Sequence, residues 1–147
     1  MNRIEELIQL RDQQRAWTKK GLPVIRFKDL PWELNQQGKM KWYLHPSIKE
    51  AVHRAIVVYV QEIPPGSRSG KVQHQGGWYN YIWEGKGYTI LNGKRYDWEA
   101  EDTIFYPVDS ENPTVFQHFN TDPEKSALLI AGIPNLYETL GVDMGTG

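Results

Sequence analysis

The sequence contains no cysteine in 147 residues, so neither a disulfide nor a thiolate metal site can contribute to the fold or its chemistry. It also lacks a long hydrophobic run: the longest, residues 55–60, falls far short of the roughly 20 residues that span a bilayer and predicts a buried strand. The opening Met1-Asn2-Arg3-Ile4-Glu5-Glu6 has no apolar core of a secretory signal, so a cytoplasmic protein away from membranes is the expectation. Charge of one sign is missing as well. With 17 basic and 18 acidic residues interspersed along the chain, no electrostatic footprint for nucleic acid or an anionic membrane exists, and a small molecule is the expected partner. Aromatic surface is abundant instead. Six Trp and eight Tyr suit a barrel that encloses a planar ligand, and suit equally a barrel simply filled by its own rings or pairing with a second subunit.

The length accommodates one domain with a real core. Asn2 and Glu5 have the spacing of a capping box, and Ile4, Leu7, Ile8, Arg11 and Gln14 predict an amphipathic helix over residues 3–17 that packs on the barrel or on a partner subunit. From Gly21 to Pro46 periodicity is lost, with Pro23, Pro31 and Pro46 as punctuation, which predicts an arm with short strands. Residues 1–54 are thus expected to form a helix and arm packed on a barrel of residues 55–147, within one structural domain. Short strands are predicted at 55–63, 71–75, 78–83, 87–91, 95–98, 103–106, 114–119 and 126–131, separated by Gly-, Pro- and Asn-rich turns. Near-regular spacing of many short strands means an all-β antiparallel barrel or jelly roll. Asn92-Gly93 marks a two-residue hairpin, because a type I′ turn needs positive φ at both positions. Residues 135–141, ending in Gly141, predict a short C-terminal helix.

Gly66, five residues, Val72-Gln73-His74, three residues, Trp78, six residues, Gly85 is a spaced motif. Its spacing resembles the first motif of the cupin superfamily, in which His-x-His and a Glu bind a divalent metal. Here Val72 stands for the first His and Trp78 for the Glu, and neither an isopropyl group nor an indole N–H offers a metal a lone pair. A second motif follows if Glu101 stands in the glycine position of Gly-x5-Pro, ending at Pro107. Anchoring its final Asn at Asn120 places Phe116 at the last metal-ligand position, with about four extra residues within 109–114. Trp83-Glu84-Gly85-Lys86-Gly87, Leu128-Leu129-Ile130-Ala131-Gly132 and His118 resemble the gentisate 1,2-dioxygenase-like cupins. The resemblance covers roughly residues 56–140. It implies a cupin double-stranded β-helix (jelly-roll) barrel with an N-terminal helix and arm and a short C-terminal helix, and a homodimer of the kind that pairs through sheets and exchanges N-terminal segments.

Strand alternation makes Val72, His74, Trp78, Asn80 and Ile82 inward-facing, with Phe116 and His118 sharing a face and Tyr106 on a neighbouring strand. His74 and His118 are the candidate catalytic residues; Val72, Trp78, Asn80, Tyr106 and Phe116 are the candidate ligand-binding walls. If a metal such as Fe(II) binds, His74 and His118 hold it with a third ligand from Gln73, Gln75 or Asn80; with no carboxylate well placed, no metal is the favoured expectation. Without one, His74 could act as a general acid or base in isomerase- or decarboxylase-like chemistry, or be a barrel histidine bonded to Asn80 or a Tyr hydroxyl. A binding or transforming role toward a small aromatic or organic-acid molecule is expected first, a non-catalytic binding or sensing module or a structural dimeric barrel second. His45 and His53 are expected on the surface or arm. Tyr79-Tyr81-Trp83, on the opposite face from His74, is expected to meet a partner subunit or the chain's own arm.

Overall fold

Asn2 opens the chain as a helix cap: its side chain accepts the Glu5 N–H at 3.0 Å while the Glu5 carboxylate accepts the Asn2 N–H at 2.8 Å. The computed structural model describes residues 2–109 and 111–140. Helix α1 (Arg3–Lys20) is longer than its apolar spacing predicts and buries no side chain. Ile4, Leu7 and Leu10 are each more than half exposed, and the helix meets the rest of the chain near its C-terminal end, where the Trp17 ring lies 4.8 Å from the Arg54 guanidinium.

Ten strands follow: β1 (Glu33–Asn35), β2 (Gly38–Leu44), β3 (Ile56–Ile63), β4 (Val72–His74), β5 (Tyr79–Glu84), β6 (Lys86–Leu91), β7 (Lys94–Glu99), β8 (Thr103–Phe105), β9 (Thr114–Asn120) and β10 (Ala127–Pro134). They form two antiparallel sheets, one ordered β1-β2-β3-β10-β5-β8 and the other β4-β9-β6-β7. Each of the eight strands predicted from residue 55 onward is present. The arm contributes more than expected: β2 pairs along β3, so the predicted division at residue 54 falls between two adjacent strands of one sheet. Helix α2 (Tyr137–Leu140) covers part of the predicted C-terminal helix; Gly141 lies outside the described residues.

Local chemistry accounts for the turns. Asn92 (φ 49°) and Gly93 (φ 81°) join β6 to β7, with Leu91 opposite Lys94, as the Asn-Gly pair predicts. Glu101 has φ 77°, a left-handed conformation that glycine adopts without steric cost. That is the position where the motif spacing puts a glycine. Gly76 combines φ 89° with a site where an added Cβ would lie 1.9 Å from the Pro107 carbonyl oxygen.

The outer face of the larger sheet is partly covered by the arm. The Lys41 ammonium donates to the Phe27 carbonyl at 2.8 Å and lies 4.1 Å from the Phe27 ring, and Phe27 in turn packs edge-on against Trp83 at 5.5 Å. Tyr79 and Trp83 keep 43% and 39% exposure, so the arm covers this aromatic face only in part.

Between the sheets lie two clusters. Met40, Val57, Tyr59, Val72, Trp78, Tyr106, Phe116, Ala131 and Ile133 form one, rich in rings. Ile63, Ile82, Trp98, Ala127 and Leu129 form the other, mostly aliphatic. Asn120, the anchor of the second motif, clamps the loop beside this second cluster: its amide donates to the carbonyls of Ile63, Pro64 and Lys125 at 3.0, 3.2 and 2.8 Å, and its oxygen accepts the Asp122 N–H at 2.9 Å.

Candidate small-molecule cavity

Alternation on β4, β5 and β9 brings the expected inward residues together. Val72, His74, Trp78, Asn80, Tyr106, Phe116 and His118 are all buried. Parity survives the two glycines at 76 and 77, so Trp78, Asn80 and Ile82 face the same way. These residues do not line an open hollow, however; they fill the barrel. The His74 ring packs against Trp78, Phe116 and Tyr106 with centroids 4.2, 5.3 and 5.4 Å apart, and Phe116 touches His118 at 5.0 Å.

The two histidines have different partners. His74 Nδ1 accepts the Gly76 N–H at 2.7 Å, a bond within the turn. His118 sits in a buried chain. The Trp98 indole N–H donates to Thr89 Oγ1 at 2.9 Å, and Thr89 Oγ1 lies 2.7 Å from His118 Nδ1. His118 Nε2 lies 3.4 Å from the Tyr106 hydroxyl, which donates to Asn80 Oδ1 at 2.5 Å. Because Tyr106 gives its proton to Asn80, its oxygen can only accept from His118, which puts the histidine proton on Nε2 and makes Nδ1 the acceptor of the Thr89 hydroxyl proton. Burial pushes the His118 pKa down to about 3 and holds the Tyr106 hydroxyl well above its ordinary value, so both groups stay neutral.

This donor set does not fit the metal of a cupin centre. His74 Nδ1 is committed to a backbone N–H, both His118 nitrogens face hydroxyls, and the Phe116 ring packs against both imidazoles. Gln73 and Gln75 are exposed and alternate away from His74, while Asn80 Oδ1 is taken by Tyr106. Glu84 is exposed as well. Among the described residues no group of three His, Asp or Glu side chains converges.

The hollow that does open from the barrel lies beside this filled core, at the mouth. It measures about 360 Å³. Buried Val57, Tyr59, Trp78 and Ile133 form its floor, and partly exposed Gln37, Trp42, His45, Pro46, Tyr137 and Glu138 form its rim. Trp78 is the one expected site residue that borders it. Trp42 packs on Tyr59 at 5.0 Å and on His45 at 5.2 Å, so the wall is a run of ring faces. His45 turns its Nδ1 to the Ser47 hydroxyl at 2.7 Å. Sequence reasoning left His45 among surface residues and named neither Trp42 nor Tyr137 nor Glu138. The available signal was the aromatic run Trp42-Tyr43-Leu44-His45-Pro46, read only as arm. None of the described residues of the insertion at 109–114 lines the cavity; Asp109 Oδ1 instead accepts the N–H groups of Glu111 and Asn112 at 2.8 and 3.1 Å. His53 is exposed, as expected. No helix among the described residues is long and apolar enough to cross a membrane.

No protein-family model and no curated protein matches the chain. Solved structures do. A predicted oxalate decarboxylase from Thermotoga maritima matches at TM-score 0.59 and 26% identity, covering 76% of this chain and 97% of that one. A cupin 2 conserved barrel domain protein from Salinispora arenicola matches at 0.60 and 14% over 78% and 91%, and a polyketide cyclase from Streptomyces resistomycificus at 0.58 and 15% over 77% and 79%. With its two antiparallel sheets and its motif spacing, the chain is a barrel with the fold of the cupin superfamily.

Proposed function

We propose that this barrel binds a small aromatic molecule at its mouth and that it does so without a metal. The observation that carries the reading is the 360 Å³ cavity whose walls are Trp42, Tyr59, Trp78 and Tyr137, a size and lining typical of small-ligand sites.

The other roles weighed on the sequence have less support. Gentisate dioxygenase-like chemistry needs ligands that Val72, Trp78 and Phe116 do not supply. His74 and His118 do not border the cavity, which removes the support for acid–base chemistry by either. The Thermotoga neighbour's name points to a small carboxylic acid as that protein's substrate, but among the described residues no Lys or Arg lines this cavity to meet a carboxylate. A purely structural barrel leaves the hollow at its mouth unexplained. A cytoplasmic location belongs to the same proposal, as does a homodimer. The dimer's support is α1, whose Ile4, Leu7 and Leu10 are exposed, with Glu5 and Glu6 in its first turn and Lys19 and Lys20 in its last. Two copies laid antiparallel would set acid against base along an apolar seam.

Titration calorimetry with two neutral aromatic probes, tyrosol and indole, tests the binding reading. Saturable binding by the wild type, weakened about fivefold in Trp42→Ala, is the expected result, since lost ring contact at an aromatic wall is worth about 1 kcal/mol. Absence of saturable heat with both probes defeats it.

A further inference from the structure

The cavity's charge pattern says more than its size. Among the described residues that line it, Glu138 carries the only formal charge, and it is negative. That carboxylate is held in place rather than left to swing: Asn135 Nδ2 donates to Glu138 Oε2 at 2.9 Å and also to the Arg54 carbonyl at 2.7 Å, tying α2 to the segment before β3. The Arg54 guanidinium is 3.9 Å from the other oxygen, at the limit of an ion pair, and lies over the Trp17 ring at 4.8 Å. The carboxylate is therefore incompletely neutralised.

The rings around it act in the same direction. Trp42 and Tyr137 stand at the rim with Glu138, above the buried Tyr59 and Trp78. Aromatic faces carry the negative end of a quadrupole and attract cations, most strongly where water is excluded. A carboxylate beside several ring faces repels an anion and attracts an ammonium.

We infer that the ligand of this cavity is a cation: an amine or quaternary ammonium attached to an apolar or aromatic body. The body rests on Val57, Trp78 and Ile133, and the ammonium stays at the rim between Trp42, Tyr137 and Glu138. This inference rests on the binding reading above and narrows it, setting aside the organic acids that the sequence left open.

The test compares three molecules of one shape and different charge by titration calorimetry at pH 7: tyramine (cationic), tyrosol (neutral) and 4-hydroxyphenylacetate (anionic). Tyramine is expected to bind about tenfold more tightly than tyrosol, and 4-hydroxyphenylacetate more weakly than both. In Glu138→Gln the ratio of tyramine to tyrosol affinity should fall about threefold or more, the remaining preference coming from the ring faces. An anion or a neutral probe that binds as tightly as tyramine overturns the cation assignment while leaving an aromatic-binding cavity, and an affinity ratio unchanged in Glu138→Gln overturns the carboxylate's part in it. Failure of all three to bind overturns both.

Discussion

His118 shows how a single buried side chain can couple this fold to pH. Its folded pKa is depressed from 6.5 to about 3 by burial, with no carboxylate among the causes. In the unfolded chain the imidazole takes up a proton as pH falls through about 6.5; in the folded chain it does not until about 3. Stability that is complete above 6.5 is therefore lost progressively between those two values. At pH 5 the loss from this residue is roughly 2 kcal/mol relative to pH 7. Urea unfolding at the two pH values should show it, and His118→Gln, although less stable at pH 7, should show a flatter dependence. An unchanged slope in that variant would assign the effect to another group. His74 is equally buried but takes a backbone N–H on Nδ1, so the two histidines of the motifs differ in role despite sharing the core. Their identities stand out in the sequence, whereas their partners, Thr89 and Gly76, become evident only once strands are paired.

Elements show where sequence rules hold and where they are overridden. The β6–β7 hairpin follows from Asn92-Gly93 alone, because both residues tolerate the positive φ that a two-residue type I′ turn requires. Glu101 is the opposite case. It sits between β7 and β8 at φ 77°, where the motif has glycine, and holds the turn through its N–H to the Ile82 carbonyl at 2.7 Å. A non-glycine residue in that conformation costs about 1–2 kcal/mol, part of which glycine returns through its greater freedom when unfolded. Glu101→Gly should accordingly stabilise the barrel by roughly 0.5–1 kcal/mol, a rise of a few degrees in Tm by calorimetry. A lower Tm would mean that the Glu101 side chain makes a contribution its backbone conformation conceals. Segment 21–46 went unresolved as sequence because prolines and isolated apolar residues erase periodicity; β2 is recognisable only by its eight-residue partner β3.

At the scale of the whole molecule, α1 stands apart from the barrel. A lone helix of 18 residues is marginal in water, and most helix stability comes from packing an apolar face. Ile4 and Leu7 have no such packing within one chain, being 70% and 66% exposed. The proposed antiparallel pairing of two copies predicts a dimer by size-exclusion chromatography with light scattering, and Leu7→Glu should shift it to monomer while leaving the barrel's circular dichroism intact. A monomeric wild type at micromolar concentration would rule this pairing out.

The sequence by itself determined the barrel, because strand alternation, turn chemistry and motif spacing are local patterns and each needs only a few consecutive residues to be read. It also determined which side chains point inward, from Val72 through His118. Whether those side chains enclose a space or fill one is not local. Trp78, Tyr106, Phe116 and His74 come from different strands and loops, and only their packing across the two sheets decides that they occupy the interior. The cavity was displaced to the mouth for the same reason. Its rim joins Trp42 and His45 near the start of the larger sheet to Tyr137 and Glu138 just beyond its last strand in sequence, residues that have no proximity until β2, β3 and β10 lie side by side.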